Sequence, residues 1–238
     1  MKEKTRVTWV PTLALVAGTV GYGLRKLQAG GGSGLPLAAL SVVVTVVFAL
    51  AAVTLEREAC FSALFPNAGA DRWISVPAGL AVVVWGFLSC RGGILQLLIA
   101  ALGVMSGVVI AFDPLLRNAE AKKARYAYIV PVLFYTIKLF SDFRGWEIDP
   151  ALTDYCYRLF ACIGFMLASY YVGAYTFDKG GRRLLAFFSL VGVTFGLVSL
   201  QASALPELLF YSGSVLWMFR LTLDALHPIP SDAQASNE

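Results

Sequence analysis

The chain has 238 residues, 58% of them apolar and only 14% charged, with a mean hydropathy of +0.71. A soluble domain of this length carries about a quarter charged residues and under half apolar ones, so the composition excludes an ordinary soluble globular protein. A net charge of +4 is too small to argue for nucleic acid as a partner.

Eight apolar segments are long enough, or nearly so, to cross about 30 Å of hydrocarbon. They cover 7–24, 36–55, 73–90, 94–112, 126–142, 155–177, 184–203 and 205–223. Backbone groups find no water in a bilayer, so each segment is expected to be a helix that satisfies its own N–H and C=O groups. The first segment ends in Arg25 and Lys26 rather than in a small-residue cleavage site, which makes it an uncleaved helix and not a secretion signal. Helix-stop chemistry separates the segments: "AGGGSGLP" at 29–36, "SCRGG" at 89–93, "FDP" at 112–114, "DKGG" at 178–181, and Pro206. The expected fold is therefore all-α, a polytopic transmembrane helix bundle of eight spans forming one domain, with both termini cytoplasmic. Residues 224–238 read as a disordered cytoplasmic tail.

The basic residues agree with that count. Of the 19, thirteen fall on the cytoplasmic side, four (Arg25, Lys26, Arg91 and Arg144) on the outer side, and two, Lys138 and Arg158, inside spans. The expected address is the cell membrane, the bacterial inner membrane, crossed several times. Residues 56–72 place Cys60, Phe61, Leu64 and Phe65 at helical spacing, as in a short helix lying in the headgroup layer. Residues 113–125 hold four basic residues, a contact for anionic lipid at the inner loops and a determinant of topology. "WVP" at 9–11 and "IVP" at 129–131 open spans one and five on the same side, a hint that 7–112 and 126–223 are repeated halves.

Small residues mark where helices approach closely. Span four carries Gly103 and Gly107 and span seven carries Gly192 and Gly196, each pair at a four-residue spacing, so these are expected packing seams. Tyr126, Tyr128, Tyr170, Tyr171 and Tyr175 gather toward the inner boundary as an aromatic belt.

Much familiar chemistry is missing. The one histidine, His227, lies beyond the last span, which removes a Ser–His or Cys–His dyad, a His-ligated zinc and a histidine-held haem. No phosphate-binding or dinucleotide fingerprint is present, no cofactor is implied, and the four cysteines have neither zinc nor disulfide spacing. Asp113 and Asp178 stand alone on the inner side, and no carboxylate sits at mid-membrane to mark a proton or cation relay. The chain reads as a non-enzyme.

One cluster remains. Tyr135, Lys138 and Asp142 form a stripe on span five, above Pro131, whose missing N–H invites a kink. Asp154 and Arg158 stand four residues apart on span six. The short connection makes the two spans neighbours, so Lys138 is expected to pair with Asp154 and Asp142 with Arg158. Two readings follow. The cluster is a paired, partly wet hairpin tip that sets helix depth, or an outward vestibule where Lys138 and Arg158 meet an anionic group, with Gln96, Gln201 and Glu207 on facing helices.

The stretches "YGLRKLQAGGGSGLP" at 22–36 and "IVPVLFYTIKLF" at 129–140, with the span order, resemble a group of eight-span integral membrane proteins of anaerobic Gram-positive bacteria. That group has no assigned activity, so the resemblance implies a fold and transfers no site residues. Three function classes stay open. The favoured one is a non-catalytic membrane subunit or partner-binding protein, with lipid and a protein partner in a complex. The alternative is a transporter of small molecules or lipids, or its substrate-binding subunit. A membrane enzyme fits least. A closed bundle with an exposed small-residue face would mark the first, and a polar path reaching the midplane the second.

Overall fold

The computed structural model describes residues 9–55, 64, 72–90, 93–118, 126–146, 152–175, 177, 180–202 and 204–227. These residues form α1 (Val10–Ala29), α2 (Leu35–Val53), α3 (Arg72–Leu88), α4 (Ile94–Ala111), the short α5 (Asp113–Asn118), α6 (Ile129–Trp146), α7 (Leu152–Tyr175), α8 (Arg182–Ser199) and α9 (Leu205–Leu226). No strand occurs among the described residues. Each of the eight apolar segments contains one long helix. Length and apolar composition suit four of them to crossing a membrane: α2, α4, the Tyr155–Tyr175 part of α7, and α8. The long helices α1, α6 and α9 carry the charged residues that lower their hydropathy.

Local signals place the ends. Pro11, Pro36 and Pro206 stand in the first turns of α1, α2 and α9, where a missing N–H costs nothing. Pro131 belongs to the same class. A single 3-10 turn at 126–128 precedes α6, so Pro131 is the third residue of the helix and lies within its first turn. The expected kink is not required there, because the N–H of a first-turn residue has no intrahelical acceptor to lose. At the other end of the chain α9 continues to Leu226, so Asp224 to Leu226 are helical, not part of a tail. Residues 228–238 lie outside the described residues.

Helix contacts close a ring. α3 packs on α4, α4 on α6, α6 on α7, α7 on α8, α8 on α9, and α9 returns to α3. α1 lies outside the ring against α8, and α2 covers α1 and α8. α1 and α2 are thus peripheral while α6 and α7 are ring members, so the two sets of four helices occupy different kinds of place.

Glycines set the tightest seams. A Cβ on Gly79 of α3 would stand 2.4 Å from the carbonyl oxygen of Gly107, and one on Gly164 of α7 would stand 2.8 Å from the amide nitrogen of Gly192. Gly103 faces the Trp85 and Phe134 rings, and Gly196 faces Val215 and Phe165. Gly103, Gly107, Gly192 and Gly196 are therefore spent on contacts inside the chain. Backbones this close gain dispersion contacts along the seams.

The ring interior is aromatic. Phe134 and Tyr135 from α6, Trp85 from α3, Phe165 from α7, and Phe210 and Trp217 from α9 are all 2% exposed or less. Their rings stack or meet at an angle, with centroids 5.1 Å apart for Phe134–Tyr135 and 5.3 Å for Trp85–Phe210. The outside is apolar as well: Val42 and Leu50 on α2, and Ile94 and Met105 on α4, are more than half exposed. So continuous an apolar exterior fits contact with lipid. Of residues 56–72, where a headgroup helix was expected, only Leu64 and Arg72 are described; Leu64 is buried in the core and Arg72 begins α3.

Candidate functional site

α6 and α9 run in opposite directions and present polar stripes to one another across the ring. Three levels of polar contact result, one at each end and one in the middle.

At the first level Lys138 comes from α6. It is 3% exposed, and its Nζ donates to Asp142 Oδ2 at 2.7 Å and to Glu207 Oε1 at 3.5 Å. The ammonium also lies over the rings of Phe210, 4.8 Å from the centroid, and Trp85, 5.4 Å away. The two carboxylates remain partly open, with side chains 22% and 31% exposed. A cation this deeply placed is tolerable because two anions and two aromatic faces compensate its lost hydration.

The partners differ in part from those expected. Lys138 pairs along its own helix with Asp142 and across the ring with Glu207. Asp154 lies on α7, but its side chain is outside the described residues, and with it the expected Lys138–Asp154 pair. Arg158 is half-buried and acts electrostatically on Asp142. Gln96 is exposed, so of the three facing polar residues Glu207 is the one that reaches Lys138. With its protons directed at two carboxylates and its remaining face on aromatic rings, Lys138 has little left to offer an anion from outside.

In the middle, Tyr135 of α6 and Ser214 of α9 share a hydrogen bond, 3.0 Å between their hydroxyl oxygens, both residues fully buried. Trp217, one turn along α9, stacks on Tyr135 with ring planes 15° apart. One buried hydroxyl pair thus crosses an otherwise aromatic interior, and little in the residues announced it, since none of the three is charged.

The third level lies where α5, α9 and the turn before α6 meet. Arg117 donates Nε to Asp113 Oδ1 at 3.0 Å, with Nη2 2.8 Å from Asp113 Oδ2 as an ion pair, and donates Nη1 to Asp224. Tyr128 donates to Asp113 Oδ1 at 2.6 Å. Arg220 donates to Ser75 of α3 at 2.6 Å and stands 3.6 Å from Asp113 and 3.8 Å from Asp224. Every member is at most 7% exposed. Two arginines balance two aspartates, and the planar guanidinium fork fits a carboxylate with two parallel bonds. Burial works against the charge on Arg117, yet Asp113 and then Asp224 outweigh it and hold its proton more tightly than in an ordinary arginine.

This cluster corrects three expectations. Asp113 is not alone but is bonded by Arg117 and Tyr128. Arg117 turns inward to two carboxylates rather than outward to lipid, and Lys122, Lys123 and Arg125 lie outside the described residues. Tyr128 is an interior hydrogen-bond donor, not a belt residue; Tyr175 is likewise buried, at 2% exposure. A signal for the cluster existed: Asp113–Arg117 and Arg220–Asp224 are both spaced four apart, the spacing that drew attention to Asp154 and Arg158.

Elsewhere, Arg25 is buried with its guanidinium 5.5 Å from the centre of the Tyr157 ring, which shelters its charge. Arg182 and Arg183 donate to terminal carbonyls, Ala225 and His227 for the first and Leu55 for the second. Cys90, Cys156 and Cys162 form no disulfide among the described residues. Among the described residues no group of three or more His, Cys, Asp or Glu side chains could hold a metal ion, and no feature positively indicates catalysis. The chain matches no known family model, no curated protein sequence and no solved structure.

Proposed function

We propose that the protein is a multi-pass transporter of the cell membrane, the bacterial inner membrane, and that the axis of its helix ring is the path. Eight crossings with both termini in the cytoplasm fit the bias of basic residues, and put the Lys138 level outside and the Asp113 level inside. The observation that carries the reading is the buried Tyr135–Ser214 hydrogen bond midway between two clusters of paired charges. Polar groups facing the interior of a membrane bundle are expensive and tend to mark where something polar passes.

A non-catalytic membrane subunit that binds a protein partner is the second reading, favoured by the aromatic filling of the ring. It is weakened by the seam glycines, which face other helices of the same chain and leave no small-residue face at those positions. Lys122, Lys123 and Arg125 would meet anionic lipid in either case.

Proteoliposomes tested by osmotic swelling against small polar solutes such as urea and glycerol check the proposal. The expected result is permeation above protein-free vesicles that Lys138→Met abolishes while the amount of purified protein is unchanged. Permeation equal to protein-free vesicles would sink the transport reading. Loss of protein in step with loss of flux would make Lys138 structural.

A further inference from the structure

One buried hydroxyl at the Lys138 level lacks a hydrogen bond. Tyr211 of α9 is fully buried, its ring packed against Phe165 and Phe210, and its Oη makes no hydrogen bond among the described residues. The hydroxyl meets the thiol of Cys162 on α7, but outside hydrogen-bonding geometry, and a thiol is a weak partner in any case. The other groups that act on it electrostatically are Glu207, Asp142 and Arg158, all of this level. Glu207 stands four residues before Tyr211, so the two share a face of α9. A long helical side chain leans back over the turn before it, which directs Tyr211 toward the turn that carries Glu207. Glu207 is incompletely used: its side chain is 31% exposed, and Oε1 meets Lys138 only at a long 3.5 Å. A donor without an acceptor and a loosely held acceptor therefore lie one turn apart, the first fixed by packing and the second free to turn.

We infer that Glu207 is the moving arm of an outer gate and that Tyr211 is the catch on which it closes; the inference rests on the transport reading for what the gate controls. In the structure the arm is turned outward. Pro206 and the first turn of α9 hold the backbone, so the motion is a rotation of the Glu207 side chain between staggered arrangements. Turned inward, Oε2 accepts the Tyr211 proton while Oε1 stays with Lys138. Closing gives up part of the hydration of the carboxylate and gains a charge-assisted bond from a phenol that is otherwise unmet. The two terms oppose each other, so neither arrangement excludes the other. Asp142 is the fixed post of the gate, held to Lys138 at 2.7 Å along α6 in both arrangements. The Asp113 end has no equivalent arm, since every member of that cluster is at most 7% exposed.

The test is a double-mutant cycle on the whole chain, read first as melting temperature in detergent and then as urea flux in proteoliposomes. Tyr211→Phe keeps the ring and removes the hydroxyl. If Glu207 closes on Tyr211, the substitution should lower the melting temperature by about 2 °C in wild type, the size of shift a modest hydrogen bond gives in a chain this long. In a Glu207→Ala background it should have no effect or raise the melting temperature, because a buried hydroxyl without a partner is better absent. Tyr211→Phe should also speed urea entry, since the arm has lost its catch. A melting temperature unchanged or raised by Tyr211→Phe in wild type overturns the inference, as does an equal fall in both backgrounds. Either result with urea still permeating leaves the transport reading standing. Coupling between the two residues with urea flux unchanged by Tyr211→Phe overturns the gate alone. Coupling with no urea flux in wild type overturns the transport reading, and the gate with it.

Discussion

The two ends of the ring solve one problem, a buried charge, in different ways. At the Asp113 end four charges and a tyrosine are all at most 7% exposed and bonded to one another from α5, α9 and the turn before α6. At the Lys138 end the cation is just as deep, but its two carboxylates are 22% and 31% exposed. Water reaches the two carboxylates of the second cluster, while the first opens to it by no more than the 7% of Arg117 and the 6% of Asp224. The Asp113 end is thus built as a latch, since opening it strands charges, whereas the Lys138 end can exchange a carboxylate between ammonium and solvent at small cost.

That difference predicts a graded series. Arg117→Ala should be the most damaging change, about 3–5 kcal/mol by thermal or denaturant unfolding in detergent, because it leaves Asp113 and Asp224 buried with only Arg220 to compensate. Asp142→Asn takes the charge from the shorter of two contacts to a buried ammonium and should cost about 1.5–3 kcal/mol in the same assay. Lys138→Met keeps the stem packed under Trp85 and Phe210, and the carboxylates it abandons can hydrate. Its cost should stay under about 1 kcal/mol, although flux is lost. Glu207→Gln removes the longest and most exposed arm, and roughly 0.2–0.5 kcal/mol is expected. Salt sharpens the contrast: stability lost on raising ionic strength should shrink in Glu207→Gln and be unchanged by substitutions at the sealed end. If Lys138→Met proves as destabilising as Arg117→Ala, the two ends are equivalent latches and the comparison fails.

What could be read from the residues alone depended on whether the signal was local. The eight apolar segments each contain a helix, because hydropathy and stop residues act within a segment. Gly103, Gly107, Gly192 and Gly196 were visible as pairs, since a four-residue spacing puts both on one face whatever lies opposite. The Tyr135–Lys138–Asp142 stripe was legible for the same reason. The register between helices was not. Nothing local tells that Glu207 reaches Lys138 rather than solvent, or that Ser214, one serine among many, meets Tyr135. The closure of the ring, with α1 and α2 outside it, was equally invisible, being a property of six helices together. The Asp113 cluster falls between these cases: its two halves are helical pairs at four-residue spacing, and their union across 107 residues is tertiary.

The most direct test of the ring axis as a path is accessibility at its middle. Ser214→Cys, in a chain whose four native cysteines are replaced by alanine, can be exposed in sealed vesicles to a small membrane-impermeant methanethiosulfonate reagent from either side. The account predicts slow modification from the Lys138 side, faster when Glu207→Gln loosens that end, and none from the Asp113 side. If position 214 is unreactive from both sides while a cysteine placed at the exposed Gln96 reacts at once, the axis is solid core, and the polar groups along it are there for packing alone.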